Sequence, residues 1–291
     1  MAFPLKVFVD KKRRGERIAM ISLYDAPSAA LCCDAGVDAL LVGDSMGNVI
    51  LGHENTIPVT LEVMLHHTAA VVRGVKSSSR PQTPVIADLP FGTYLGDSGD
   101  IERHGAALMQ VGAQALKVEG AGERVLRAIE LWHEMGAPVM GHLGYTPQAT
   151  LNFQNVVQGK TAAGAATLVA NAKKLEAAGC FGIVLEAVPA EVAAKITRSI
   201  GIPTIGIGAG VQCDGQVLVW HDLAGLSPGL PLHFVKRFAD AHSLLTGAAR
   251  DYVTEVHGGT FPAREHGWSM GERELEEWRQ IEGDNAETAA G

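Results

Sequence analysis

Residues 115–120, ALKVEG, belong to a series of short apolar runs that each finish on a residue able to do chemistry or on a glycine. ALLVGDS (39–45) and PVIADLPF (84–91) precede it; PVMGHLG (138–144), GIVLEAVP (182–189) and PTIGIGAG (203–210) follow. Longer Ala-rich segments of helical period separate the runs, which is the pattern of βα units and a parallel sheet. In a closed parallel barrel the carboxyl ends of all strands share one rim, where such enzymes keep their active sites. Asp44, Asp88, Lys117, Glu119, His142 and Glu186, with Gly206, Gly208 and Gly210, are therefore expected around one pocket.

Strands are expected near 18–24, 39–44, 84–89, 115–119, 138–142, 182–187, 203–208 and 216–221, which suits a (β/α)8 barrel. Helices are expected at Pro27 to Ala35, Leu61 to Val75, Ile101 to Val111, Glu123 to Met135, Ala162 to Ala178 and Ala190 to Ile200, most closed by Gly- or Pro-containing turns. The seventh unit is too short for an ordinary helix, since only GVQCDGQVLV (210–219) leads into the last strand. The basic cluster Lys11 to Arg14 reads as the carboxyl end of a short leading helix, where cations complement the dipole. KSSSRPQT (76–83) reads as a surface loop on the rim away from the chemistry. Residues 144–163 follow the fifth strand on the active rim and could fold over a substrate as a lid. The expected division is a catalytic barrel over 1–265 and a charged extension over 266–291, a helix with a frayed tail at GDNAETAAG.

With 291 residues and 47% hydrophobic content the chain can build one large barrel with a sizeable core. No apolar run reaches the length of a membrane span, and the first twenty residues lack the apolar stretch of a secretory signal, so a soluble, cytoplasmic protein is expected. Cys32, Cys33, Cys180 and Cys213 show no metal-ligand spacing and read as small apolar filler. A formal net charge of −8 argues against nucleic acid as a partner.

Asp44, Asp88 and Glu119 end the second, third and fourth strands, so adjoining strands deliver oxygen ligands to one side of the mouth. Mg²⁺ takes one or two carboxylates and leaves its other positions to water and substrate oxygens, which suits this trio. Asp44 or Asp88 taken alone reads first as a cap on the following turn, but three acids on consecutive strand ends read as a cation site. Lys117 and Glu119, two apart on one strand, point the same way, inward at the polar mouth. An inward lysine can hold an anionic group or a developing enolate, or it can simply pair with Glu119. Glu186 ends an apolar run, where desolvation moves a carboxyl toward the range of a general base; its plainer role is to bind backbone amides. His142 could bond a substrate oxygen or hold a loop. GIGAG resembles loops that bring amides near an anion; its plainer role is to relieve crowding.

The runs VGDSMGNVILGHENTIPVTLEVMLHHTAAVVRG (42–74), ADLPFGTY (87–94), KVEG (117–120), PVMGHLGYTPQ (138–148), VLEAVP (184–189), IPTIGIGAG (202–210) and DGQVLVWHD (214–222) together resemble the ketopantoate hydroxymethyltransferase family, over roughly residues 4–265. The resemblance implies a TIM barrel of the phosphoenolpyruvate/isocitrate lyase type that is Mg²⁺-dependent. It also implies assembly as a large homo-oligomer, a decamer. The implied reaction hydroxymethylates 3-methyl-2-oxobutanoate with 5,10-methylenetetrahydrofolate to give 2-dehydropantoate, on the way to pantothenate and coenzyme A. Position by position it implies metal binding through Asp44, Asp88 and Glu119, substrate contact through Asp44, Ser45, Asp88 and Lys117, and proton abstraction by Glu186. Residues 76–83 and the extension to Gly291 depart from the family pattern. Rim chemistry of this kind also serves a carbon–carbon lyase or aldolase acting on another 2-oxo acid, and a barrel that binds a metabolite without catalysis is a third reading.

Overall fold

The computed structural model describes residues 5–152, 155–227 and 232–288, with 282–288 by backbone alone. Parallel strands β1 (Ile18–Ser22), β2 (Ala39–Val42), β3 (Val85–Asp88), β4 (Ala115–Lys117), β5 (Val139–Gly144), β6 (Gly182–Glu186), β7 (Thr204–Ile207) and β8 (Gly215–Val219) close into one barrel in sequence order. The ring is sealed by β8 pairing with β1, Ile18 opposite Gly215 through Ser22 opposite Val219. Around it run α1 (Lys6–Arg14), α2 (Ala26–Asp34), α3 (Met46–Val49), α4 (Leu61–Ser77), α5 (Ser98–Gln110), α6 (Glu123–Glu134), α7 (Ala162–Ala177), α8 (Ala190–Ser199) and α9 (Trp220–Leu223).

The expected barrel is present, and residues 208–214 between β7 and β8 form bends and turns with no helix, as their shortness requires. Several strand ends differ from expectation. Asp44 and Glu119 lie just past β2 and β4, where the chain has left the ladder, and Trp220 opens a short helix in place of the last part of β8.

Side chains alternate along a strand, so every second residue enters the barrel. Ile18, Met20, Ala39, Leu41, Ile86, Ala115, Met140, Val184, Ile205 and Val217 form one buried apolar layer there, joined by Leu5 and Phe8 at the start of the chain. The next inward positions along four of these strands are Asp88, Lys117, His142 and Glu186. The apolar floor and the polar mouth are thus consecutive turns of one alternation. A separate apolar cluster lies between strands and helices, including Leu40, Val42, Trp132, Leu175 and Ile183. Within it the Trp132 indole donates to Ile101 O at 2.8 Å, so its one polar atom is satisfied. Cys32, Cys33, Cys180 and Cys213 are buried and unpaired, consistent with an apolar filling role.

The leading helix ends as expected, with Lys11, Lys12, Arg13 and Arg14 in its last turn and Gly15 in the left-handed region. Two of those cations also bolt it to the barrel: Lys11 pairs with Asp38 at 2.7 Å and Lys12 with Asp214 at 2.8 Å. Asp214 additionally accepts from Thr204 N at 2.8 Å, tying the approach to β8 onto β7 where a connecting helix is missing. Of the expected 76–83 loop, Lys76 and Ser77 are the last residues of α4, and 78–83 form the loop after it, held by Ser79 N on Asp34 Oδ1 (2.8 Å) and by Arg80 on Val37 O (3.0 Å).

By internal contacts the chain divides into Met1–Ala239, which carries the barrel, and Asp240–Gly291. The second unit holds α10 (Ala241–His257), a short 3-10 turn at Arg264–His266 and α11 (Glu272–Thr288). Phe261 packs on Tyr252 and on His266, with ring centroids 5.5 Å and 5.2 Å apart. Of the expected frayed tail, residues 289–291 lie outside the described residues. Among the described residues no helix is long and apolar enough to cross a membrane.

Asp214→Ala leaves the partly buried Lys12 ammonium with Thr197 O as its remaining acceptor and releases Thr204, so it is expected to cost about 2 kcal/mol. Urea unfolding would show this as a lower midpoint with an unchanged slope.

Candidate active site

At the carboxyl ends of the strands lies a cavity of about 330 Å³. Ser22, Asp44, Ser45, Asp88, Lys117, Glu119, His142 and Glu186 all reach it. The charged strand-end residues therefore converge on one pocket, whereas Gly206, Gly208 and Gly210, expected with them, are not among its lining residues. Asn48, Asn55, Tyr145, Pro147, Leu232 and Phe234 also line it.

Asp88 and Lys117 face each other because β3 and β4 pair in that register. Their side chains meet at 2.5 Å and are almost wholly buried. Sequence reasoning offered Glu119 as the lysine's resting partner; the ladder gives it Asp88 instead. Burial opposes the Lys117 charge, but Asp88, Glu119 and Asp44 together hold its pKa well above the ordinary lysine range. Asp88 also accepts from Asp44 N at 3.1 Å, so one carboxylate fixes both a cation and the turn after β2.

That turn depends on Gly43. A Cβ there would stand 2.7 Å from Ser22 Oγ and 2.8 Å from Ser45 Oγ, so only glycine lets the turn lie against the mouth. Asp44 then sits beside Asp88, 3% exposed. Burial, then Asp88, then Glu119 push its pKa well above the usual carboxylate range. Burial also raises Asp88, against the lowering effect of Lys117. Ser45 Oγ lies 2.8 Å from the Tyr24 hydroxyl, which burial keeps protonated at neutral pH.

Among the described residues no group of three His, Cys, Asp or Glu side chains is arranged to hold a metal ion. Asp44, Asp88 and Glu119 share one cavity. Glu119 Oε1 lies 3.2 Å from His142 Nδ1 and its Oε2 accepts from Gln148 N at 2.9 Å, much as the two Asp88 oxygens accept from Lys117 and from Asp44 N. Asp44 and Asp88 do fit a hard cation, since they are adjacent buried oxygens whose negative charges the site disfavours.

His142 connects Glu119 to the far wall, where its Nε2 stands 3.4 Å from Glu186 Oε2, an ion-pair distance without hydrogen-bond alignment. Burial and Lys117 oppose a charge on this ring, yet its contacts with Glu119 and Glu186 outweigh them and push its pKa up to about 9. His142 thus stands between two carboxylates, Glu119 and Glu186. Glu186 keeps 18% of its side chain exposed, more than its apolar run suggests. Its backbone is tightly specified: Tyr145 N donates to Glu186 O and Ala187 N to Ile207 O, and Ala187 adopts φ 48°. A left-handed alanine is mildly strained, and such strain persists only where surrounding bonds enforce it. Gly144, at φ 97°, lies under the same segment, and a Cβ there would be 2.1 Å from Glu186 O.

The glycine loop is closely packed. Gly208 (φ 63°) and Gly210 (φ 81°) occupy left-handed conformations, and added Cβ atoms would meet the Phe234 ring at 2.9 Å and Ala190 Cβ at 2.6 Å. The expected lid at 144–163 begins as part of the site itself. Its 3-10 turn at Pro147–Asn152 buries Gln148, while residues 153 and 154 lie outside the described residues. Gln148, Tyr94 and Tyr24 were missed by sequence reasoning. Gln148 and Tyr94 end two of the quoted motifs, but neither carries a charge at neutral pH to draw notice.

His142 gains its charge on folding, so the stability it contributes is complete below its ordinary pKa of 6.5 and is lost as pH rises through about 9. Wild type should lose stability relative to His142→Gln across that window, at up to about 1.4 kcal/mol per pH unit, in urea titrations at stepped pH.

A family model described as ketopantoate hydroxymethyltransferase matches residues 3–264. The chain is 49% identical over 269 residues to a 3-methyl-2-oxobutanoate hydroxymethyltransferase of Carboxydothermus hydrogenoformans, covering 92% of this chain and 95% of that one. A protein of the same name from Thermotoga maritima is 47% identical over 261 residues, covering 89% and 94%. Among solved structures, a phosphonopyruvate hydrolase in complex with oxalate and Mg²⁺ superposes with a TM-score of 0.60 at 13% identity, covering 99% and 98%. A 2,3-dimethylmalate lyase, of the PEP mutase/isocitrate lyase superfamily, does so with a TM-score of 0.57 at 17% identity over 100% of both chains. These structural likenesses establish the shared barrel.

Proposed function

Because the chain belongs to the ketopantoate hydroxymethyltransferase family, we propose that it transfers a hydroxymethyl group from 5,10-methylenetetrahydrofolate to 3-methyl-2-oxobutanoate, giving 2-dehydropantoate for pantothenate and coenzyme A formation. The observation that carries this reading is a cavity with a carboxylate, Glu186, on one wall and the Asp44, Asp88 and Lys117 cluster reaching it from adjoining strands. A site that must lift a proton next to a ketone needs a base on one side and positive charge where the enolate develops.

In this reading Asp44, Asp88 and Glu119 would hold Mg²⁺, which would supply Lewis-acid chemistry toward the keto oxygen when bound. Lys117 and Ser45 hold the head group of the oxo acid. Glu186 takes the proton from C3, the carbon next to the ketone, and His142 holds Glu186 toward that carbon. C3 then attacks the one-carbon unit of the folate, and water releases the hydroxymethyl product and tetrahydrofolate. Assembly into a homo-oligomer, a decamer by the family resemblance, belongs to the same proposal.

Glu186→Gln is expected to leave the KM for 3-methyl-2-oxobutanoate within a few-fold of wild type and to lower kcat by about 10²–10⁴. Deuterium exchange from solvent into C3, followed by NMR, isolates the proton step from the folate step. Exchange at the wild-type rate in this variant removes Glu186 from the role of base. Asp88→Ala should weaken Mg²⁺ and oxo-acid binding together, and an unchanged metal titration takes Asp88 out of the ligand set.

A further inference from the structure

Gln148 has every polar group of its side chain engaged, and its bonds reach the segments that follow three separate strands, β2, β3 and β4. Its Nε2 donates to Asp44 Oδ2 at 2.8 Å and to Leu89 O at 2.8 Å; its Oε1 accepts from the Tyr94 hydroxyl at 2.6 Å; its backbone N donates to Glu119 Oε2 at 2.9 Å. It is buried, 5% exposed, and does not itself line the cavity. The residues it bonds leave no ambiguity about the amide. Leu89 O accepts only, so the nitrogen must face it, and the Tyr94 hydroxyl then donates to the remaining oxygen. Tyr94 stays protonated because burial, reinforced by nearby Glu119, raises its pKa far above neutrality.

We infer that Gln148, locked by Tyr94, is a positioning residue that fixes the rotamer of Asp44 and so sets the geometry of the cation and oxo-acid site. The inference rests on the reading that Asp44 and Asp88 hold a divalent cation. Asp44 lies past the end of β2, so the ladder does not orient its side chain as it orients Asp88 and Lys117. The one side-chain donor that Asp44 finds among the described residues is Gln148, which comes from the segment after β5. A neutral amide suits this role, because it engages one carboxylate oxygen without cancelling the charge and leaves Asp44 Oδ1 outside any hydrogen bond to the described residues. The backbone N of Gln148 holds Glu119 at the same time, so one residue separates the two acids at a set spacing.

Gln148→Met preserves volume and removes both donor and acceptor, and Tyr94→Phe preserves the ring and frees the amide to rotate. Binding of Mn²⁺ alone, read from loss of the free-ion paramagnetic resonance signal, is expected to weaken about 10-fold in Gln148→Met, the range seen when a partner of a metal ligand is lost. Tyr94→Phe is expected to weaken it less, and the double variant no further than Gln148→Met, because the hydroxyl acts through the amide. The KM for the oxo acid should rise in the same order. A Gln148→Met protein that melts lower yet binds Mn²⁺ as wild type does would make the residue a structural plug only and overturn the inference. Should that variant fail to fold, wild-type Mn²⁺ affinity in Tyr94→Phe overturns it equally. Mn²⁺ binding that is absent in wild type, or that survives in Asp88→Ala, sinks the cation reading itself and this inference with it.

Discussion

The Asp88–Lys117 ion pair is the contact on which the mouth of the barrel depends. Two opposite charges, almost stripped of water, are tolerable only because they meet directly and because neighbouring groups take up their remaining valences. Asp88 uses its second oxygen to accept from the backbone of Asp44 and thereby fastens the turn after β2. Lys117 in turn offsets the negative charge of Asp44, Asp88 and Glu119, which would otherwise repel one another in a buried space. The pair forms because β3 and β4 align those two residues, so barrel closure and site chemistry have one origin.

From that pair the polar network runs around the rim. Glu119 passes it to His142, and His142 reaches Glu186 on the opposite wall. The base proposed for the reaction is thus connected to the acids through a single imidazole, held by two carboxylates whose proximity favours its charged form. Beside the base, backbone strain serves this arrangement. Ala187 is held left-handed immediately after Glu186, with backbone bonds from both adjoining strand ends fixing the turn.

Legibility in the sequence followed strand periodicity. Asp88, Lys117, His142 and Glu186 are inward positions directly above an apolar floor of Ile86, Ala115, Met140 and Val184, so alternation alone assigns them to the mouth. Asp44 and Glu119 lie past their strands, and nothing in a local pattern says which way a turn residue points. Their presence in the pocket was readable; their partners were not. The connection between β7 and β8 was legible for a different reason, because residue count forbids a helix there.

The sequence by itself determined the barrel, its strand order and the residues of its rim, because apolar period and segment length are local properties that closure turns into one shared edge. Only the tertiary structure decided which charges pair: Lys117 with Asp88, Glu119 with His142 and the Gln148 amide, and Asp44 with the side chain of Gln148. These partners lie from 23 to 104 residues apart in the chain. Their distances are set by strand register and by how one loop lies across the mouth, which are properties of the closed barrel as a whole.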